Sequence, residues 1–182
     1  GCDVNTMDLN GNDALMIATS FGRVDHVNLW LNRFKTWDLK RKNKTTGANV
    51  LCIAASDIQD HDEQLEIMQR LVKQGADMKT SFTNSGASVL HELCRNQDAT
   101  AEVCRWILSV EPDLRSMKRS PQTLKWKLKL SITKILFTVL GLHDLHDVPS
   151  ETALEEAIRQ GNGPILDVLR GGVSLFEEEV DL

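Results

Sequence analysis

The sequence predicts an all-α fold, an array of repeated helix pairs, and three observations predict it. A short pattern recurs: NGNDALMIA at 10–18, TTGANVLCIAA at 45–55, SGASVLHELC at 85–94 and SETALEEAI at 150–158. Its leucines, Leu15, Leu51, Leu90 and Leu154, are separated by 36, 39 and 64 residues. Behind each leucine lies a second apolar set: Val27 and Leu31; Ile67, Met68 and Leu71; Val103, Ile107 and Leu108; Ile165, Leu166 and Leu169. Apolar residues three or four apart mark one face of a helix. Self-similarity at a period of this size marks units that bury their apolar faces by stacking on one another.

Each unit therefore reads as a turn, a short helix rich in small residues, and a second, amphipathic helix. In three units a loop motif follows: GADMK at 75–79, EPDLR at 111–115 and GGVSL at 171–175. The units are placed at 10–43, 44–80, 81–115 and 148–175. Residues 1–9 read as the end of a preceding unit, 116–147 as a helical insert or a degenerate repeat, and 176–182 (FEEEVDL at 176–182) as an acidic tail. In the second unit a short insertion, DIQDHD at 57–62, precedes the second helix.

These residues resemble the ankyrin-repeat family. Its pattern is roughly G-x-T-P-L-H-x-A-A, a spacer glycine, an I/V-V-x-x-L-L helix and a closing G-A-D. The first unit carries Gly11, Leu15, Ala18, Gly22, Val27 and Leu31, and the second Gly47, Leu51, Ala54, Ala55, Leu71, Gly75, Ala76 and Asp77. The third keeps Gly86, Leu90 and His91 but has Leu93 where alanine is usual. The fourth keeps Thr152, Ala153, Leu154 and Ala157. No unit has the whole T-P-L-H, so the chain resembles a divergent member. The opening GCDVN is similar to a closing G-A-D-V-N, which implies a fragment of a longer array or multidomain protein.

The long gap between the third and fourth units holds KRSPQTLKWKLKLSITKILFTVLGL at 118–142. Pro121 after Ser120 is a helix-start signal. Leu124, Leu128, Ile132, Ile135, Val139 and Leu142 fall on one helical stripe, with Lys127, Ser131, Lys134 and Thr138 opposite. A long inserted helix is the first reading. A decayed repeat anchored on Leu124 is the second.

Composition narrows the function classes. The chain has 182 residues and a net charge of −5, which argues against generic nucleic-acid affinity. The stretch 33–44 is nevertheless basic and contains Phe34 and Trp37, expected to pack beneath the loop between the first two units. The most apolar run, 124–142, carries Lys125, Lys127, Lys129 and Lys134, so membrane insertion is not expected. Cys2, Cys52, Cys94 and Cys104 form no CxxC pair and read as reduced thiols of a cytoplasmic or nuclear protein. Cys52 reads as a buried small hydrophobe, because no base or electropositive setting accompanies it. His91, Cys94 and Cys104 are weighed as a metal site, but the resemblance gives His91 a structural hydrogen-bonding role. His143 and His146 with Asp144 and Asp147 are weighed too, and read as a solvated loop. No phosphate loop, nucleophile elbow or cofactor motif is present, so no cofactor, no metal and no catalytic residue is assigned.

The resemblance implies a non-enzymatic protein-interaction module or scaffold. It binds another protein, or another domain of the same polypeptide, through loop tips and the concave inner-helix face. By register the candidate contact residues are Asn12, Ile17 and Phe21; Ala48, Ile53 and Asp57; Ala87, Glu92 and Asn96; Glu151, Glu156 and Gln160. The alternative is a regulatory domain of a larger enzyme or channel that grips its own chain.

Overall fold

The computed structural model describes residues 3–120, 127–128 and 152–171. The expectations for the apolar stripe of 121–142 and for His143–Asp147 fall outside them, apart from Lys127 and Leu128, which are helical and exposed. The described residues are all-α: eight α-helices, and among them one isolated bridge between Phe82 and Ser88 in place of any strand. The helices are α1 (Ala14–Ser20), α2 (Val24–Arg33), α3 (Val50–Asp57), α4 (His61–Lys73), α5 (Val89–Arg95), α6 (Ala101–Val110), α7 (Ala153–Gln160) and α8 (Gly163–Gly171). A 3-10 turn, Pro112–Arg115, follows α6.

They form four helix pairs. The short inner helices stack in the order α1, α3, α5, α7, and the outer helices in the order α2, α4, α6, α8. The third inner helix packs directly on the fourth. The core is continuous through the pairs. Leu15, Leu31, Leu51, Ile67, Leu71, Leu90, Leu93, Ile107, Ala153, Ala157 and Ile165 are all essentially inaccessible. Each large aliphatic side chain so enclosed contributes roughly 1.5–3 kcal/mol, and a lone pair of short helices has no such interior.

The inner helices start alike because each has a polar cap at the same place. Asp13 accepts from the backbone N–H of Met16 at 3.0 Å and Asn49 from that of Cys52 at 3.0 Å. Thr152 accepts from Glu155, whose carboxylate returns to the Thr152 N–H at 2.8 Å. At the third start the Ser88 hydroxyl meets Nδ1 of His91 at 2.8 Å, both residues being fully buried.

Ahead of each of the first three caps the chain makes a tight loop, closed by the N–H of Asp8 on Asn12 O, of Asn43 on Ala48 O and of Thr83 on Ala87 O. The loops form a row. Lys44 N–H donates to Asn10 O at 2.8 Å, Asn84 N–H to Thr46 O at 2.7 Å and Ser120 N–H to Gly86 O at 3.3 Å. Gly47, at φ +70°, makes this approach possible, since a Cβ there would collide with the Asn84 side chain.

A second ladder runs through the inner-to-outer turns. Asn96 Nδ2 donates to Ile58 O at 2.7 Å, and Asn162 Nδ2 to Asn96 O at 2.9 Å. Gln64 reaches from α4 to the carbonyls of Ala54 and Ala55. These buried amides satisfy carbonyls that the ends of short helices leave without partners.

Candidate functional site

A cavity of about 470 Å³, lined by residues of the loop row and of the inner helices, lies between the second and third units. Thr45, Thr46 and Ala48 of the second loop and Thr83 and Ser85 of the third form one wall. Ile53, Ser56 and Asp57 of α3, and Glu92 and Arg95 of α5, form the other, and Arg119 lines the cavity too. The register explains the placement. Residues 53, 56 and 57 share one helical face, as do 92 and 95, and stacked helices present that face in line.

Beneath the cavity lies an ionic cluster. Glu156 of α7 is 0 % exposed. Its carboxylate accepts from the guanidinium groups of Arg119 and Arg159 and from Gln160 Nε2 at 3.0 Å, and lies 3.4 Å from Nε of Arg95. Arg95 also reaches Glu92, at 3.4 and 3.5 Å to the two carboxylate oxygens. Glu92 is 7 % exposed. Burial pushes its carboxyl above the ordinary range, and Arg95 and Arg119 only partly hold it down.

Of the residues expected by register, the structure brings Ala48, Ile53, Asp57 and Glu92 to this one cavity. Ile17 on α1 and Phe21 just after it stand exposed, Phe21 at 69 %. Asn12 is half-buried and tied to the Asp8 carboxylate. Ala87, Asn96 and Glu156 are buried, and the last two hold units together rather than lining the cavity. Gln160 is half-buried against Glu156. Glu151 lies outside the described residues. The register missed Arg95 and Arg119. Arg95 was detectable as the i+3 partner of Glu92, whereas nothing in the sequence near Arg119 points to α7.

The reactive-group readings take a definite form. Cys52 is wholly buried, and burial raises its thiol to about 12. Cys104 is likewise pushed up to about 12, and Cys94 is pushed upward by burial first and by Cys104 next. No set of three potential metal ligands comes together among the described residues, His91, Cys94 and Cys104 included.

Trp30 of α2 and Phe34 and Trp37 of the basic stretch after it form a three-ring cluster. Ring centroids lie 4.7 Å apart for Trp30–Phe34 and 5.0 Å for Trp30–Trp37. Arg41 covers the Trp37 ring at 4.8 Å. No described helix is long and apolar enough to cross a membrane.

Compared with known proteins, the chain matches no family model and no curated protein.

Proposed function

We propose that the chain is a divergent ankyrin-repeat array acting as a non-enzymatic protein-interaction module. Its contact surface is the loop row and the inner-helix face, which form the concave side of such an array. The observation that carries the reading is the cavity itself. It gathers Ala48, Ile53, Asp57 and Glu92, four residues expected there by register alone, and surrounds them with hydroxyl groups and ionic side chains. Concave sites with an apolar floor and a few convergent polar groups are where proteins receive ligands. We assign the module to the cytoplasm or nucleus, on the strength of the free thiols of Cys52, Cys94 and Cys104.

Site-specific photo-cross-linking tests the reading. A photoreactive residue replaces Asp57 at the cavity or, as a control, Gln69 on the exposed side of α4. After irradiation in native cell extract, discrete adducts from position 57 and none from position 69 are expected. Equal adducts from both positions, or none from position 57, overturn the reading. Sequencing the adducts separates a second protein from another region of the same polypeptide, which is the regulatory-domain alternative.

A further inference from the structure

The cavity has a definite electrostatic demand. Its cations are committed within the protein: Arg119 is bound to Glu156, with its side chain only 9 % exposed, and Arg95 is stretched between Glu156 and Glu92. Its carboxylates are not fully met. An ionised carboxylate offers about four acceptor positions. Among the described residues Glu92 receives hydrogen bonds from Arg95 alone, at 3.4 and 3.5 Å, beyond the usual range for a charged pair. Asp57, on the neighbouring inner helix, opens onto the same cavity, and its side chain accepts from the Ser56 hydroxyl. Ala48 and Ile53 supply apolar lining to the same cavity as the two acids.

We propose that this cavity receives a lysine or arginine side chain of the bound partner, its aliphatic stem on Ala48 and Ile53 and its cationic head between Glu92 and Asp57. The inference rests on the concave-face reading and adds the chemistry of the contact. An ammonium or guanidinium group supplies several donors at once to two carboxylates whose contacts within the described residues leave acceptor positions open. The stem of such a side chain covers apolar surface while its head stays with polar groups. The volume, about 470 Å³, suits one long side chain with its flanking backbone. An acidic side chain would meet the Glu92 and Asp57 carboxylates while Arg95 and Arg119 are already occupied.

The test is an NMR titration with capped pentapeptides Gly-Gly-X-Gly-Gly, in which X is lysine, norleucine or glutamate. The lysine peptide is expected to shift the backbone amides of 53–57 and 92–95 saturably, the norleucine and glutamate peptides not at all. Glu92→Gln and Asp57→Asn each weaken the lysine response at least tenfold while the melting curve shows a folded protein. An equal response to norleucine overturns the proposal in favour of a merely apolar pocket. A stronger response to glutamate assigns the cavity to an anion. No response at the highest soluble peptide concentration also overturns it. Each of these failures leaves the cross-linking from position 57 standing on its own result, so the partner chemistry and the concave-face reading fail separately.

Discussion

Arg119 closes on Glu156 through a buried ion pair, joining the chain two residues before position 121 to the first turn of α7. The pair is dry: the side chains are 9 % and 0 % exposed. Removing one member of a buried pair strands the other charge, at a cost of about 3–5 kcal/mol, whereas replacing both by apolar groups of similar volume is far milder. Glu156→Gln is therefore expected to destabilise by about 3–5 kcal/mol. Arg119→Met with Glu156→Met is expected to cost less than Glu156→Gln alone. Urea unfolding of the three proteins checks both statements, and a double replacement as damaging as the single one would show that the pair stabilises outright.

The same contact predicts how the chain tolerates surgery. Ser120 bonds to Gly86 in the loop row as Asn84 bonds to Thr46, and Thr152 caps α7 as Ser88 starts α5. In the third unit only Ser85, Gly86 and Ala87 lie between the equivalent positions. Replacing 121–151 by Ser-Gly-Ala is thus expected to preserve one cooperative thermal transition, because α5 already packs on α7. Loss of the transition in calorimetry would show that this contact depends on the replaced segment.

Leu51 anchors the second unit and is 0 % exposed on α3, the helix that packs on both α1 and α5. Leu51→Ala removes three carbons from a fully buried position in the core. A loss of about 2–5 kcal/mol is expected. The outer-face change Gln69→Ala, at an exposed position, serves as the control. A melting temperature for Leu51→Ala equal to the control's would remove Leu51 from the core.

The helix pairs were legible in the sequence for a physical reason. Burial repeats with the helical period, so Leu15, Leu51 and Leu90, with Val27, Ile67 and Val103 behind them, record the core directly. The caps at Asp13, Asn49 and Thr152 were not assigned from the sequence, although a short polar residue before an apolar run is a helix-start signal. The fate of the inner-face polar residues was not legible. Register placed Asn96 and Glu156 beside Glu92 as surface candidates. One is turned to the Ile58 carbonyl, and the other is enclosed by guanidinium groups from three places in the chain. Those partners are set by how units stack, and position within a unit carries no record of it. Arg119 is the plainest case, because its partner lies far along the chain.

The buried thiols give a kinetic prediction. Only the thiolate attacks a disulfide reagent. Burial raises Cys52 and Cys104 to about 12 and Cys94 upward as well, so at neutral pH these three are both protonated and shielded. Stopped-flow labelling should show them slow in buffer and fast in denaturant. Fast labelling of Cys52 in the native protein would place it at the surface and overturn the packing of α3.

Glu92 makes a pH prediction whose sign is unusual for a carboxylate. Its folded-state value is raised above 4.5, chiefly by burial. The folded protein therefore holds the Glu92 proton more tightly than the unfolded chain, and stability from this group falls as pH rises from the unfolded value through the folded one. The destabilisation is fully present above the folded value and vanishes below about pH 4.5. Glu92→Gln removes the buried charge but keeps the shape and an acceptor for Arg95. At neutral pH the variant is expected to be at least as stable as the wild type, and its stability-against-pH curve should lack the Glu92 component above pH 4.5. Denaturant midpoints from pH 4 to 8, measured side by side, check this. A variant markedly less stable at pH 7 would show that the Arg95 contact outweighs the burial of the charge. A variant of equal or greater stability that no longer answers the lysine peptide would mark Glu92 as a group kept for binding at some expense to the fold.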